Sequence, residues 1–296
     1  MFKRLLLIAF SLFSFSNANA QIHKPDWDEW DDWGKFEVDF GKYPYLEATY
    51  GIGNAKLKSF NADFHETGLV ELRLGYRSVD EYYDDYIVKS KDNFTFFQYI
   101  SPELKSKNLD NSKLDLNAWR FGFGNLSGFG YKIGKVSIIP YTEMNFVWTK
   151  LEHKNLSDYV LHVNNFEKRL IDTTPIDIYE DNFRFGTTSS IGAKVELASS
   201  LSLNNSYDFS VVYPRHLFWK NTGSLVIEAI GGGFIDYFVE EVMDTSPAAG
   251  PVINILLKGS LSYAFYSLRR DNMNWPFGGE KPITFEHYRI GLTFTF

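Results

Sequence analysis

Apolar and polar residues alternate along much of this chain, and the alternation is clearest in the last nine residues. Successive side chains of a β-strand point to opposite faces, so this spacing predicts a strand with one apolar and one polar face. Such a strand suits a barrel wall that faces lipid outside and a polar lumen inside. The apolar positions are Tyr288, Ile290, Leu292, Phe294 and Phe296.

Six further segments repeat the pattern and are predicted to be strands of the same wall. A slip of one residue would turn every charged side chain towards lipid, so the pattern specifies the register strongly. The six segments are residues 46–52, 68–77, 118–133, 136–148, 183–197 and 201–213.

The closing strand resembles that of Gram-negative bacterial outer-membrane β-barrels, whose assembly machinery reads a terminal phenylalanine such as Phe296. The resemblance is general and identifies no subfamily. It implies an all-β fold, a transmembrane antiparallel up-and-down β-barrel of about 8–10 strands in the cell outer membrane. It also implies two partners, outer-membrane lipid and the barrel-assembly machinery. The implied assembly signal consists of Tyr288, Leu292, Phe294 and Phe296.

The connections between the predicted strands differ in length. Residues 134–135 and 198–200 are short, whereas residues 78–117 and 150–182 are long and polar. Outer-membrane barrels have short periplasmic turns and long extracellular loops. With the C-terminus in the periplasm, we expect both long segments to be extracellular.

Residues 223–268 fit two interpretations. As helices they carry an acidic stripe at four-residue spacing with apolar residues opposite, whereas as strands they also place apolar residues on one face. We favour a helical hairpin joined by residues 245–250, with its stripe towards the lumen and the barrel at eight strands. The strand interpretation gives ten strands. The stripe is Glu228, Asp236, Glu240 and Asp244, and its expected partners are Arg73, Arg77, Arg120 and Arg184.

The N-terminus has the pattern of a secretory signal. Lys3 and Arg4 precede an apolar run at residues 5–15, and Ala18-Asn19-Ala20 is a small-residue cleavage site. The run is too short to cross a membrane as a helix, and no other stretch approaches twenty unbroken apolar residues, so no transmembrane helix is expected. The predicted organisation is a cleaved signal peptide at 1–20, an N-terminal segment at 21–43 and the barrel at 44–296.

The segment at 21–43 is acidic and rich in tryptophan. Its carboxylates are possible calcium ligands, but the loop glycine and glutamate spacing of an EF-hand are missing. Its tryptophans, Trp27, Trp30 and Trp33, suit a membrane interface. We therefore favour a periplasmic or interfacial segment and predict no metal and no cofactor.

Composition excludes several classes of function. The chain has no cysteine, so disulfides and thiol chemistry are excluded. The formal net charge is −7 and no basic run is present, which argues against nucleic acid as a partner. Aromatic residues make up 18% of the chain, as expected where aromatic girdles mark both membrane interfaces.

Charged residues occupy the predicted lumen face of most strands. A barrel of this size is only wide enough to be filled by side chains or to hold a small ligand, and unpaired buried charges are costly. We therefore favour a charge network that plugs the lumen over a narrow hydrophilic path. The predicted network is Glu47, Glu71, Arg73, Arg77, Arg120, Lys132, Glu143, Arg184, Lys194, Glu196, Asp208 and Arg289.

The chain shows no recognisable catalytic array. No histidine lies in a pattern that resembles a barrel lipase or protease, and no His-x-x-x-His spacing is present. Two main hypotheses remain open. The favoured one is a non-enzymatic envelope or surface-binding barrel, whose contact surfaces would be the aromatic segments 82–86 and 93–97. The other is a porin-like transport barrel with residues 223–268 as plug or gate, and an outer-membrane lipid-modifying enzyme is less favoured. The ligand is unknown.

Overall fold

The computed structural model describes residues 43–60, 62–83, 86–106, 113–153, 161–162, 168–169, 174–180 and 182–296. The predicted signal peptide and the tryptophans of the N-terminal segment lie outside these residues.

Eight antiparallel strands form a closed barrel, which confirms the predicted fold and the lower of the two predicted strand counts. The barrel strands are β1 (Tyr43–Leu57), β2 (Thr67–Tyr83), β3 (Ile87–Ser101), β4 (Leu116–Ile133), β5 (Val136–His153), β8 (Arg184–Ala198), β9 (Leu201–Val212) and β10 (Ile283–Thr295). Around the barrel they follow the order β1-β10-β9-β8-β5-β4-β3-β2. Two short strands, β6 (Leu161–His162) and β7 (Lys168–Arg169), pair with each other and not with the barrel.

The first and last strands close the barrel in a continuous register. Tyr45 pairs with Thr295 at one end of the β1–β10 ladder, and Leu57 pairs with Ile283 at the other. The predicted tight turn between β4 and β5 contains Gly134, whose φ of 64° is a conformation that glycine adopts at no steric cost. We name the end of the barrel that carries this turn the periplasmic end and the opposite end the extracellular end, after the orientation expected from the sequence.

The structure corrects the interpretation of residues 78–117 as one extracellular loop. β2 continues to Tyr83, and β3 then occupies residues 87–101. The aromatic segment 93–97 therefore lies inside a strand, and Phe94 and Phe96 are buried. Only the connection from residue 102 to 115, which starts with a 3₁₀ helix (Pro102–Leu104), lies between extracellular strand ends.

The two faces of β2 differ as a membrane-spanning wall requires. Leu72 and Leu74 are 49% and 56% exposed on the outside of the barrel, whereas Arg73 between them is only 2% exposed. An apolar outer face and a polar inner face are the arrangement of a barrel that lies in lipid.

Two long helices form a hairpin between β9 and β10, so the helical interpretation of residues 223–268 is correct. The helices extend beyond the predicted bounds, as α2 (Phe218–Thr245) and α3 (Gly250–Asp271), with a 3₁₀ turn (Pro247–Ala249) between them. A shorter helix, α1 (Thr174–Asp177), precedes β8.

The hairpin lies along the outer wall of the barrel. α3 passes so close to β8 that a Cβ atom at Gly259 would lie 3.2 Å from Ile191 Cδ1, on the lipid side of that strand. Met243, near the end of α2, packs against Phe129 of β4. The tip is at the periplasmic end, where the Tyr131 hydroxyl donates to the Ala248 carbonyl at 2.6 Å. The hairpin thus runs from the extracellular to the periplasmic side of the barrel.

This position corrects the expectation that the acidic stripe of the hairpin faces the lumen. The hairpin is outside the lumen, and its buried or partly buried acids pair with the second helix: Glu228 with Arg269 and Asp236 with Lys258, each at 2.5 Å. Also, α2 is long and apolar enough to cross a membrane, by length and composition. The criterion of about twenty unbroken apolar residues does not detect α2, because Glu228 and Asp236 interrupt its apolar run. Both acidic side chains pair with α3.

Candidate functional site

Four charged side chains meet in the middle of the lumen and form its central cluster: Arg73, Arg289, Glu71 and Glu143. Arg73 Nη1 is 2.6 Å from Glu143 Oε1, and Arg73 Nη2 is 3.1 Å from Glu143 Oε2. Arg289 donates to both Glu71 oxygens and to Glu143 Oε2, each at 3.1 Å. Arg73 also donates to Glu71. Because these residues come from β2, β5 and β10, the cluster crosses the barrel.

Polar neighbours complete the hydrogen bonding of this central cluster. Asp208 Oδ2 is 2.7 Å from Arg289 Nε, and Ser190 donates to Glu143 at 3.0 Å. Gln98 donates to Glu71. Glu47 accepts from Thr293 at 2.7 Å. Charge-assisted bonds of this kind offset the cost of removing the carboxylates from water.

A second group of charges lies on the periplasmic side. Arg77 Nε is 3.3 Å from Asp92 Oδ1, and Lys194 also pairs with Asp92. Arg77 Nη1 reaches Glu196 at 3.5 Å and Thr295 Oγ1 at 3.3 Å. These contacts join β2, β3, β8 and β10 below the central cluster.

Arg120 lies on the extracellular side of the central cluster. It donates to Thr149 at 3.0 Å and to Gln98 at 3.4 Å, and its guanidinium is 4.9 Å from the centre of the Phe285 ring. Phe285 belongs to an apolar cluster that fills the extracellular end of the barrel together with residues such as Leu116 and Ile283. Aromatic and apolar side chains therefore occupy the lumen above the charges.

The structure places the predicted network residues in three settings. Arg184 is half-buried at the extracellular end of β8, and Glu196 is half-buried beside Arg77. Lys132 is not in the lumen, which corrects the prediction: it is exposed near the periplasmic end of β4, where it pairs with Glu81 at 2.5 Å. The alternation of side chains along β4 was predicted correctly at Lys132. This residue, however, lies beyond the part of the barrel that excludes water. The remaining predicted residues are buried in the lumen: Glu47, Glu71, Arg73, Arg77, Arg120, Glu143, Lys194, Asp208 and Arg289.

Sequence reasoning missed Asp92 and Gln98 because it missed β3. Inclusion of Asp92 balances the charges. Among the described lumen residues that are fully buried, the cations are Arg73, Arg77, Arg120, Lys194 and Arg289, and the anions are Glu47, Glu71, Asp92, Glu143 and Asp208. An equal number of each sign is the expected composition of a buried network that has to remain neutral.

Outside the lumen, three side chains that could hold a metal ion converge at the extracellular end of β5. They are His153, Asp177 and Glu180. A cleft of about 250 Å³ lies nearby and is lined by Pro175, Ile178 and Pro214 among others.

Comparisons with known proteins add little to this description. No protein-family model matches the chain, and no curated protein matches it in sequence. A solved structure that is similar in part is the crystal structure of Neisserial surface protein A (NspA), with 8% identity, a TM-score of 0.38, and coverage of 86% of this chain and 97% of the other. Another is the CymD monoaromatic hydrocarbon channel, with 10% identity, a TM-score of 0.19, and coverage of 58% and 60%.

Because both TM-scores are below 0.5, the assignment depends on the strand pairing of this chain itself. Its closed ring of eight strands, apolar outer wall and charged interior match the requirements of a barrel in lipid. This chain folds as a closed eight-stranded antiparallel β-barrel of the kind that spans a lipid membrane.

Proposed function

We propose that this protein is a non-conducting, non-enzymatic barrel of the outer membrane that acts as an envelope or surface-binding protein. The central cluster carries the proposal. Its four side chains are 0–2% exposed and bond to one another across the lumen, so they occupy the space through which a solute would pass. A barrel of eight strands has an interior only wide enough for side chains or one small ligand.

The apolar cluster at the extracellular end supports the same proposal. Leu116, Ile283 and Phe285 are buried there, above the charges. A hydrated path would have to cross this apolar layer as well as the ion pairs, and both oppose the entry of water.

The extracellular connections are the proposed contact surface. The cleft beside α1 is about 250 Å³, and it combines apolar Ile178 and Pro214 with charged Glu280 and Lys281. A mixed apolar and charged cleft of this kind suits the recognition of a small ligand or a chain segment. The position of the hairpin outside the barrel removes the support for a plug or gate at residues 223–268.

Conductance in planar lipid bilayers tests the proposal. We expect the full-length protein to produce no stable channel steps. The variant Glu71→Ala/Arg289→Ala removes one charge of each sign but leaves the Arg73–Glu143 pair and the apolar layer in place, so we expect it to remain closed as well. Heat-modifiable migration on a gel checks that both proteins are closed barrels. Stable channel steps from the unmodified protein would show that the lumen is open and would overturn the proposal.

A further inference from the structure

Three potential metal ligands meet at the extracellular mouth, away from the lumen network. His153 is the last residue of β5, Asp177 is the last residue of α1, and Glu180 follows three residues later. His153 Nε2 is 2.9 Å from Glu180 Oε1 and 3.3 Å from Asp177 Oδ1. All three ligand atoms lie within 4.8 Å of one another.

The geometry points to a binding site for one divalent transition-metal ion, and we propose that Zn²⁺ fits it best. Ligand atoms at 2.0–2.1 Å from a tetrahedral zinc ion are separated by about 3.3 Å, which is close to the two distances from the imidazole. An imidazole nitrogen with two carboxylate oxygens is a donor set that zinc accepts, whereas Ca²⁺ prefers oxygen ligands throughout.

The charges of the three side chains suit a divalent ion. A neutral histidine and two carboxylates carry two negative charges, which one Zn²⁺ ion balances. A protonated histidine would balance only one of the carboxylates. The side chains of Asp177 and Glu180 are 48% and 32% exposed, so the ion could enter from solvent and retain a water molecule as a fourth ligand.

The carboxylates are held by a buried turn, so the site does not depend on the ion for its shape. Ile176 and Tyr179 are fully buried and flank Asp177 and Glu180 in the sequence. The Tyr179 hydroxyl accepts a hydrogen bond from the Ile283 amide at 3.1 Å, which connects the turn to β10.

The proposed consequence is a clamp on the long loop between β5 and β8. His153 belongs to the barrel wall, whereas Asp177 and Glu180 belong to the loop. A bound ion would connect the two and fix the edge of the neighbouring cleft. This inference is independent of the proposed function, since a conducting barrel could carry the same clamp.

Zinc titration of the metal-free protein tests the site. The full chain without a histidine tag, purified in detergent and treated with a chelator, is titrated with Zn²⁺ alone by calorimetry. We expect each chain to bind one Zn²⁺ ion tightly. His153→Gln should abolish it, and Glu180→Gln should weaken it by at least about tenfold. We also expect Ca²⁺ in excess not to displace Zn²⁺.

A matched control comes from the same mouth of the barrel. His65 Nδ1 and Asp115 Oδ1 form a histidine–carboxylate pair at 3.0 Å, and no third ligand is grouped with them among the described residues. Asp115→Asn should therefore leave zinc binding unchanged. Heat-modifiable migration confirms that each variant folds. The proposal would be overturned if the unmodified protein bound no Zn²⁺ tightly. It would also be overturned if the His153→Gln and Glu180→Gln variants bound Zn²⁺ with the affinity of the unmodified protein.

Discussion

Arg73 of β2 and Glu143 of β5 are 70 positions apart in the chain, and their side chains form a two-point ion pair across the lumen. The two strands are three places apart in the ring of eight, so the pair crosses the lumen rather than joining adjacent strands. Removal of one partner of such a buried ion pair strongly destabilises a protein, because the other charge is left unpaired. Replacement of both partners by apolar side chains usually changes the stability much less. The pair therefore favours the native register over alternatives that leave a charge unpaired.

The first prediction concerns this pair. Arg73→Met should destabilise the barrel by about 3–5 kcal/mol because Glu143 and Glu71 lose a buried partner. The free energy of unfolding in urea, in detergent or lipid, measures the effect. The double variant Arg73→Met/Glu143→Leu should cost less than the sum of the single changes.

The control Lys132→Met, which breaks the exposed pair with Glu81, should cost at most about 1 kcal/mol. Equal effects at the two positions would contradict a buried network.

The fold was predictable wherever strand alternation is clean, and β3 shows where it fails. The periplasmic half of β3 presents Lys89 and Lys91 on the side where other strands present apolar residues, whereas Phe94 and Phe96 lie inside. The hairpin explains part of this inversion. Lys89 Nζ lies 5.1 and 5.0 Å from the ring centres of Tyr82 and Phe129, so both rings can stabilise its charge. Phe129 also packs against the hairpin. This part of the outer face is therefore next to the hairpin, and an apolar residue is not required at position 89.

The hairpin was predictable as a pair of helices but not as an outer layer. A polar stripe on a helix shows that the helix packs against polar groups, and it does not identify them. Glu228 finds Arg269 on the returning helix, a partner that depends on how α2 and α3 align. From the sequence alone, the arginines that face the lumen were equally plausible partners for Glu228. Only the packing of α3 against the outer wall distinguishes the two arrangements.

The second prediction tests the outer wall at two depths. Leu72 lies near the middle of the exposed apolar positions of β2, which run from Val70 to Tyr76, whereas Tyr76 is the last of them before Ser78 and Asp80 on the same face. Leu72→Arg should cost about 2–4 kcal/mol, and Tyr76→Arg only about 0–1 kcal/mol, since water is closer to the second position. Reversible unfolding in lipid vesicles measures both values. A milder effect at Leu72 than at Tyr76 would show that the depth assigned to β2 is wrong.

The third prediction tests whether the hairpin crosses the membrane. The chain has no native cysteine, so single cysteines report their own position. A large maleimide that cannot cross the outer membrane should label Gly278→Cys on intact cells, because residue 278 lies between α3 and the extracellular end of β10. Ala248→Cys, at the hairpin tip, should react only after the membrane is permeabilised.

Lys135→Cys provides the control for this experiment, since the β4–β5 turn is periplasmic in the same topology. It should behave as Ala248→Cys does. Labelling of Ala248→Cys on intact cells, with Lys135→Cys still protected, would place the tip outside the cell and contradict a membrane-crossing hairpin.

The last prediction concerns the end of the closing strand. Phe294 pairs with Leu46 and Leu201 in the neighbouring strands and is 45% exposed on the lipid side. The Phe296 amide donates to the Pro44 carbonyl at 2.9 Å, so the terminal residue still belongs to the ladder. Phe294→Asp/Phe296→Asp should block assembly and leave the chain in the periplasm, because the two carboxylates would face lipid and the expected recognition residue is lost.

Fractionation of cells, with heat-modifiable migration as the sign of a closed barrel, measures this outcome. Thr295→Asp is the matched control, since it adds the same charge to the same strand on the opposite face. Its carboxylate would lie near Arg77, whose Nη1 is 3.3 Å from Thr295 Oγ1, so it gains a partner and the barrel should assemble. Normal outer-membrane levels of the double variant would show that neither phenylalanine is needed for assembly. Equal loss of the Thr295→Asp variant would show that any charge at this end blocks closure, whichever face carries it.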